Sequence, residues 1–285
     1  METSPLAQRW ARRFVAGETL DEALAVGRKI HAEGIAITLD HLGESVRSLE
    51  EAGEAREVYL RTLRAMCRAG LEPNVSVKLT QFGLDFSYDQ CRDNVSQLVR
   101  AAGDMAGFVR VDMESSAYAP RTLALVGDLH QQCGAVGVVI QAYLHRSRDD
   151  VEMLCRRGVR VRLCKGAYLE PASVAFQQKS EVDRNFVELM KILLERGAYP
   201  AIATHDEKMI EATMDHAEAL KRPREAFEFQ MLYGIRRDLQ RRLVAEGFRL
   251  RLYVPFGQAW YPYYMRRLAE RPANVLFIAR HLFRQ

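Results

Sequence analysis

Two consecutive arginines, Arg266 and Arg267, lie in the stretch RLRLYVPFGQAWYPYYMRRLAER (249–271), one helical turn after Tyr263 and one turn before Glu270. Residues three or four apart share a helix face, so the pair would stand beside phenol rings. Guanidinium groups take carboxylates in a planar two-point grip, which suits a small ligand bearing an acid group. Upstream, further polar residues recur at the ends of β-branched runs: Lys78, Asp112, Gln141, Arg162, Lys165, Thr204 and His205. Cations outnumber acids in this set, and the expected ligand or cofactor is therefore anionic. Gly166, in KGAY (165–168), lets backbone come close to a planar or phosphorylated group. Three chemistries fit these residues. One is a flavin enzyme, with cations against a pyrophosphate and an electron-rich ring. Another is an aldolase-like Schiff-base enzyme with Lys78 or Lys165 as nucleophile. The third is a carboxylate-sensing module without catalysis.

The elements that must position these residues follow a repeating unit of strand, loop and helix. Strand-like runs are read at 35–39, 75–80, 108–113, 137–143, 159–164, 201–205, 227–232 and 249–254, with a turn from Pro255 to Gly257. Helix starts are signalled by Thr19 with Glu22, Ser48 with Glu51 and Ser87 with Gln90, and helix ends by Gly34, Gly70, Gly134, Gly158, Gly197 and Gly247. Alternation of this kind implies parallel strands with crossover helices, and eight units imply a closed (β/α)8 TIM barrel in the α/β class. No Gly-rich dinucleotide fingerprint follows an early strand, which disfavours a doubly wound sheet. Several strands carry polar residues on one parity: Ser76 and Lys78, Arg110 with Asp112 and Glu114, Arg160 and Arg162, Val139 and Gln141, Glu228 and Gln230, Arg249 with Arg251 and Tyr253. Helices cover the outer face, so these residues are assigned to the lumen. Arg110, Arg160, Glu228 and Arg249 can also form a purely structural ion-pair plug at the N-terminal end. Catalytic groups in this fold come from the opposite, C-terminal end.

Composition sets outer limits. The 285 residues, 48% of them hydrophobic, suffice for one barrel domain over 1–285, with 1–33 as an N-terminal helical extension. A net charge of +4, spread along the chain, argues against a nucleic-acid partner. Five cysteines without C-x-x-C spacing fit reduced thiols and no metal site. No apolar run approaches the roughly 18 residues that span a bilayer.

The motifs SVKLTQ (76–81), RVDME (110–114), VIQAYLHRS (139–147), RLCKGAY (162–168), ATHD (203–206), EFQMLYG (228–234) and WYPYYMRRLAERPAN (260–274) together resemble proline dehydrogenase. The likeness is to the monofunctional bacterial form and to the matching domain of bifunctional proline-utilisation flavoproteins, and it spans nearly the whole chain. It implies a distorted barrel with extra N-terminal helices and a last helix lying over the substrate pocket. It also implies oxidation of L-proline to Δ1-pyrroline-5-carboxylate by FAD, with electrons passing to a membrane quinone. By the same resemblance Lys78, Arg266 and Arg267 hold the substrate carboxylate, and Tyr168, Leu232, Tyr253 and Tyr263 enclose the ring. Asp112 hydrogen-bonds Tyr253, and Arg162 lies near the flavin. Met113, Gln141, Lys165, Gly166, Ala167, Thr204 and His205 contact the flavin or its phosphates, and Glu270 pairs near it. Cys164 stands where the family carries valine and is expected to act through its backbone. The implied setting is cytoplasmic, with peripheral contact at the inner face of the membrane to which the basic end 279–284 could contribute. Glu44, in the loop after the first strand, is expected to pair with Arg266 and gate the pocket. Within this family reading, a proline sensor is the non-enzymatic alternative.

Overall fold

The computed structural model of the protein describes residues 13–43 and 46–269. Eight parallel strands close into a barrel in chain order: β1 (Ala36–His41), β2 (Asn74–Val77), β3 (Phe108–Val111), β4 (Val136–Gln141), β5 (Arg160–Cys164), β6 (Ala201–Ala203), β7 (Glu228–Leu232) and β8 (Leu250–Phe256). The helices are α1 (Leu20–Ala32), α2 (Leu49–Arg68), α3 (Tyr88–Asp104), α4 (Ala119–Cys133), α5 (Ser147–Arg156), α6 (Lys179–Arg196), α7 (Glu207–Ala219), α8 (Arg237–Ala245) and α9 (Trp260–Ala269). The expected start signals act as caps. Thr19 accepts from Glu22 N in a reciprocal capping box, and Ser48 and Ser87 accept from Glu51 N and Gln90 N. Gly197 departs from the expected left-handed stop, since its backbone is extended.

Strand parity divides the molecule. The outward residues, such as Val75, Val77, Val109, Val111, Val138 and Ile140, are buried beneath the helices and belong to the main core. Each such side chain contributes roughly 1.5–3 kcal/mol by leaving water. The inward residues fill the lumen with polar groups.

Several boundaries differ from the sequence reading, among them the following. β2 stops at Val77 and a 3₁₀ turn covers Leu79–Phe82, so Lys78 sits at the strand exit. β3 stops at Val111, which leaves Asp112 and Met113 beyond the strand. β8 runs through Pro255 to Phe256, and the turn falls on Gly257 at φ +123°. Residues 13–19 form turns rather than helix, and 1–12 lie outside the described residues.

The seam between β8 and β1 shapes the site. α1 packs on both strands and covers the seam from outside. Its Gly27 permits the close approach, because a Cβ there would come within 2.6 Å of Ile37 Cδ1. The helix that follows β8 does something else. Trp260 and Tyr263 of α9 form a separate small cluster with Val15 and Leu42 at the C-terminal face.

Candidate active site

The lumen is layered. In the lower layer Arg251 Nε binds both oxygens of Glu228 at 3.0 and 3.2 Å, and its Nη2 reaches Glu72 at 2.9 Å. Arg110 Nη1 donates to the carbonyls of Arg160 and Val138 at 2.7 and 3.3 Å. Burial pushes the Glu228 carboxyl up, but the charge and hydrogen bonds of Arg251 outweigh it and hold it below the ordinary range. The plug is therefore built on Arg251, while Arg160 and Arg249 are exposed at the mouth.

The upper layer, at the strand exits, is a second network. Arg162 Nη1 donates to Asp112 Oδ1 and to Ser76 Oγ, both at 3.0 Å. Tyr253 Oη donates to Asp112 Oδ2 at 2.9 Å, and the Arg162 guanidinium lies 5.4 Å from the Tyr253 ring centre. Lys78 Nζ stands 3.4 Å from Asp40, 3.6 Å from Asp112 and 3.4 Å from Tyr253 Oη. Burial and the negative charges of Asp112 and Asp40 push the Tyr253 phenol well above its ordinary pKa, so it remains a donor. Leu232 follows on β7, next to Tyr253 in register.

The β4–β6 side forms a third group. Gln141 Nε2 donates to Met113 O at 3.0 Å. Buried Gln141 Oε1 and Arg162 Nε find no hydrogen-bond partner among the described residues. Unsatisfied buried polar atoms are costly, and two of them facing one lumen suit a polar planar group. Lys165 Nζ is held by Asp183 at 2.5 Å and Asp206 at 2.8 Å. Gly166, at φ +121°, lies against the Tyr143 ring, where a Cβ would come within 2.2 Å of a ring carbon. Ala167 is exposed beside it, and Tyr168 is exposed too. Thr204 Oγ1 accepts from Asp206 N at 3.1 Å. His205 Nε2 accepts from Leu232 N at 3.0 Å, which puts the proton of a neutral ring on Nδ1. Cys164 uses its carbonyl to accept from Ala142 N at 2.8 Å. Burial pushes its thiol up to about 12.

One sequence inference needs correction. From sequence Lys78, Arg162 and Lys165 are cations facing few acids, yet in the structure each is matched by carboxylates: Asp40 and Asp112, Asp112, and Asp183 with Asp206. Asp40, Tyr59, Asp183 and Asp206 are the residues that reading missed. Parity with Thr38 could have flagged Asp40. Tyr263 is buried in the α9 cluster, and Arg266 and Arg267 belong to α9 with side chains outside the described residues. Glu44 and Glu270 lie outside the described residues altogether.

Three kinds of similarity converge on this arrangement. The profile of the family "Proline dehydrogenase" matches residues 23–280. Proline dehydrogenase 2 of Bacillus subtilis (strain 168) is 39% identical over 277 residues, covering 95% of this chain and 91% of its own. The proline dehydrogenase of Deinococcus radiodurans is 39% identical over 279 residues, covering 96% and 90%. Among solved structures, proline utilization A (PutA) from Bdellovibrio bacteriovorus, inactivated by N-propargylglycine, superposes with TM-score 0.85 at 31% identity, over 90% of this chain and 32% of that one. The chain thus spans about a third of that longer protein. With its closed barrel and its polar layer at the strand exits, the chain is an oxidoreductase and belongs to the proline dehydrogenase family.

Proposed function

We propose that the protein oxidises L-proline to Δ1-pyrroline-5-carboxylate with FAD as cofactor and a membrane quinone as final acceptor, the first step of proline catabolism to glutamate. The observation that carries this reading is the convergence of Lys78, Asp112, Arg162 and Tyr253 beside two unsatisfied polar atoms of the lumen. FAD, when bound, supplies a hydride acceptor for the hydrogen on proline C5. Lys78, with Arg266 and Arg267, holds the substrate carboxylate, and Tyr168, Leu232, Tyr253 and Tyr263 exclude water from the ring. Asp112 fixes the Tyr253 hydroxyl and the Arg162 guanidinium, a positioning role. Arg162 and Lys165 place positive charge where negative charge develops. Gln141, Met113, Gly166, Ala167, Thr204, His205 and the Cys164 backbone line the cofactor's place, with Glu270 near it. Glu44 gates the pocket against Arg266. Residues 1–285 act as one barrel domain, in the cytoplasm, touching the inner face of the membrane to reach the quinone. Among the described residues no helix is long and apolar enough to cross a membrane.

The Schiff-base alternative needs a neutral amine as nucleophile. Both candidate lysines are engaged by carboxylates, Lys78 by Asp40 and Asp112 and Lys165 by Asp183 and Asp206, contacts that an attacking amine would have to give up. Anaerobic L-proline should bleach the absorption of the yellow, flavin-loaded protein. A colourless protein trapped covalently by borohydride with a carbonyl compound would select the lysine chemistry, and proline binding without bleaching a sensor.

A further inference from the structure

Among the described residues the upper lumen layer holds two cations and two carboxylates, and distance sorts them into pairs. Asp112 is committed to Arg162 at 3.0 Å and to Tyr253 at 2.9 Å, with Lys78 farther away at 3.6 Å. Asp40 Oδ2 stands 3.4 Å from Lys78, and no other described cation lies within ion-pair distance of Asp40. The second oxygen of Asp40 accepts from Tyr59 Oη at 3.1 Å. Tyr59 Oη in turn accepts from His41 N at 3.1 Å, which fixes its orientation. Both side chains are buried, Asp40 at 1% exposure and Tyr59 at 0%. Tyr59 comes from α2, outside the barrel, so a helix and a strand together set the carboxylate that Lys78 faces.

We propose that Asp40, locked by Tyr59, is a counter-ion that keeps the Lys78 ammonium charged and aimed at the substrate's acid group, and so is a positioning residue for binding. This rests on the reading of Lys78 as a carboxylate anchor. A carboxylate this deep persists where its charge is matched. An ammonium in a lumen that also holds Arg162 keeps its proton through the counter-charges beside it. Among the described residues, the groups facing Lys78 are Asp40 from β1, Asp112 beyond β3, Arg162 from β5 and Tyr253 from β8. Glu114, the next acid along, is bound to Thr80 Oγ1 at 2.6 Å. Asparagine at position 40 keeps the shape and can still accept from Tyr59, yet it removes one of the two negative charges that the described residues set beside Lys78. The Lys78 ammonium then gives up its proton at lower pH, and the bound acid group loses its partner as pH rises.

The test is calorimetric titration of the flavin-loaded protein with cyclopentanecarboxylate, a proline analogue without an amine to titrate, from about pH 6 to about pH 9. The wild type should bind with nearly constant affinity. Asp40→Asn should lose about tenfold in affinity across that range. Tyr59→Phe, which frees the carboxylate to rotate, should show a smaller loss in the same direction. Lys78→Met should bind weakly at every pH. Constant, wild-type affinity in Asp40→Asn overturns the proposal while Lys78→Met remains weak; if Asp40→Asn does not fold, the same result in Tyr59→Phe decides. If the wild type does not bind the analogue, or Lys78→Met binds as well as wild type, the anchor role of Lys78 falls, and Asp40's role with it. That outcome is separable from a failure confined to Asp40.

Discussion

Asp112 is the hub on which the proposed substrate wall depends, and its loss can be sized. Its carboxylate takes the Arg162 guanidinium at 3.0 Å through one oxygen and the Tyr253 hydroxyl at 2.9 Å through the other. An asparagine in its place could accept only one of these; its amide nitrogen would face the other donor. A hydrogen bond to a charged group contributes about 1.5–3 kcal/mol. If that stabilisation is needed for hydride loss, Asp112→Asn should slow flavin reduction about 10- to 150-fold, at roughly 1.4 kcal/mol per tenfold. Tyr253→Phe removes one of the same two bonds and should fall toward the lower end of that range. The double variant should then cost little more than Asp112→Asn alone, because both changes remove a shared bond. The assay is anaerobic stopped-flow reduction of bound flavin by L-proline, with flavin content measured in each variant. Costs that add to within about 0.5 kcal/mol in the double variant would refute the shared bond. So would a loss under about threefold in Asp112→Asn with full flavin content.

Other consequences concern pH, stability and thiols. Glu228→Gln leaves Arg251 with the exposed Glu72 as its remaining carboxylate and should cost about 1–3 kcal/mol, read as a lower Tm. Because Glu228 is held below the ordinary range, its contribution is full above the unfolded carboxylate pKa and fades as pH falls through the folded one. The Tm gap between wild type and variant should therefore shrink below about pH 4.3, and a constant gap would rule this out. Hydride leaves most readily from a neutral amine, so flavin reduction should speed up from about pH 6 to about pH 9, contrary to a flat profile. Burial pushes the Cys164 thiol up to about 12, whereas Cys67 and Cys133 are exposed. Peptide mapping after iodoacetamide at neutral pH should find Cys67 and Cys133 labelled and Cys164 intact; equal labelling would contradict the burial argument.

Much of the barrel is written in short-range signals. Caps at Thr19, Ser48 and Ser87 need only local hydrogen bonds, and they form as the side-chain spacing predicts. Strand parity is likewise local, so Ser76, Arg162, Gln141 and Arg251 can be assigned to the lumen from their own strands. Charge balance is not local. The partners of Lys78 and Lys165 come from β1, the β3 exit, α6 and the cap of α7, up to 41 residues away along the chain. Asp206 also caps α7, accepting from Lys208 N at 3.2 Å. Tyr59 belongs to α2, and only the packing of α2 on β1 turns its hydroxyl toward Asp40. Strand ends escaped for a related reason. The 3₁₀ turn after Val77 is stabilised by Glu114, which accepts from Thr80 N at 3.1 Å from the next unit of the barrel.

The seam between first and last strands has a meaning for assembly. β1 and β8 pair from Ala36↔Arg251 to His41↔Phe256, joining segments at opposite ends of the chain. Loop-closure entropy raises the cost of so distant a pairing. Asp40 and Tyr253 arrive from the two sides of that seam, with Lys78 between them. A nascent chain with seven strands in place would hold the ion-pair partners of Lys165 but not this trio. The proposed substrate anchor is thus complete only once this seam has closed.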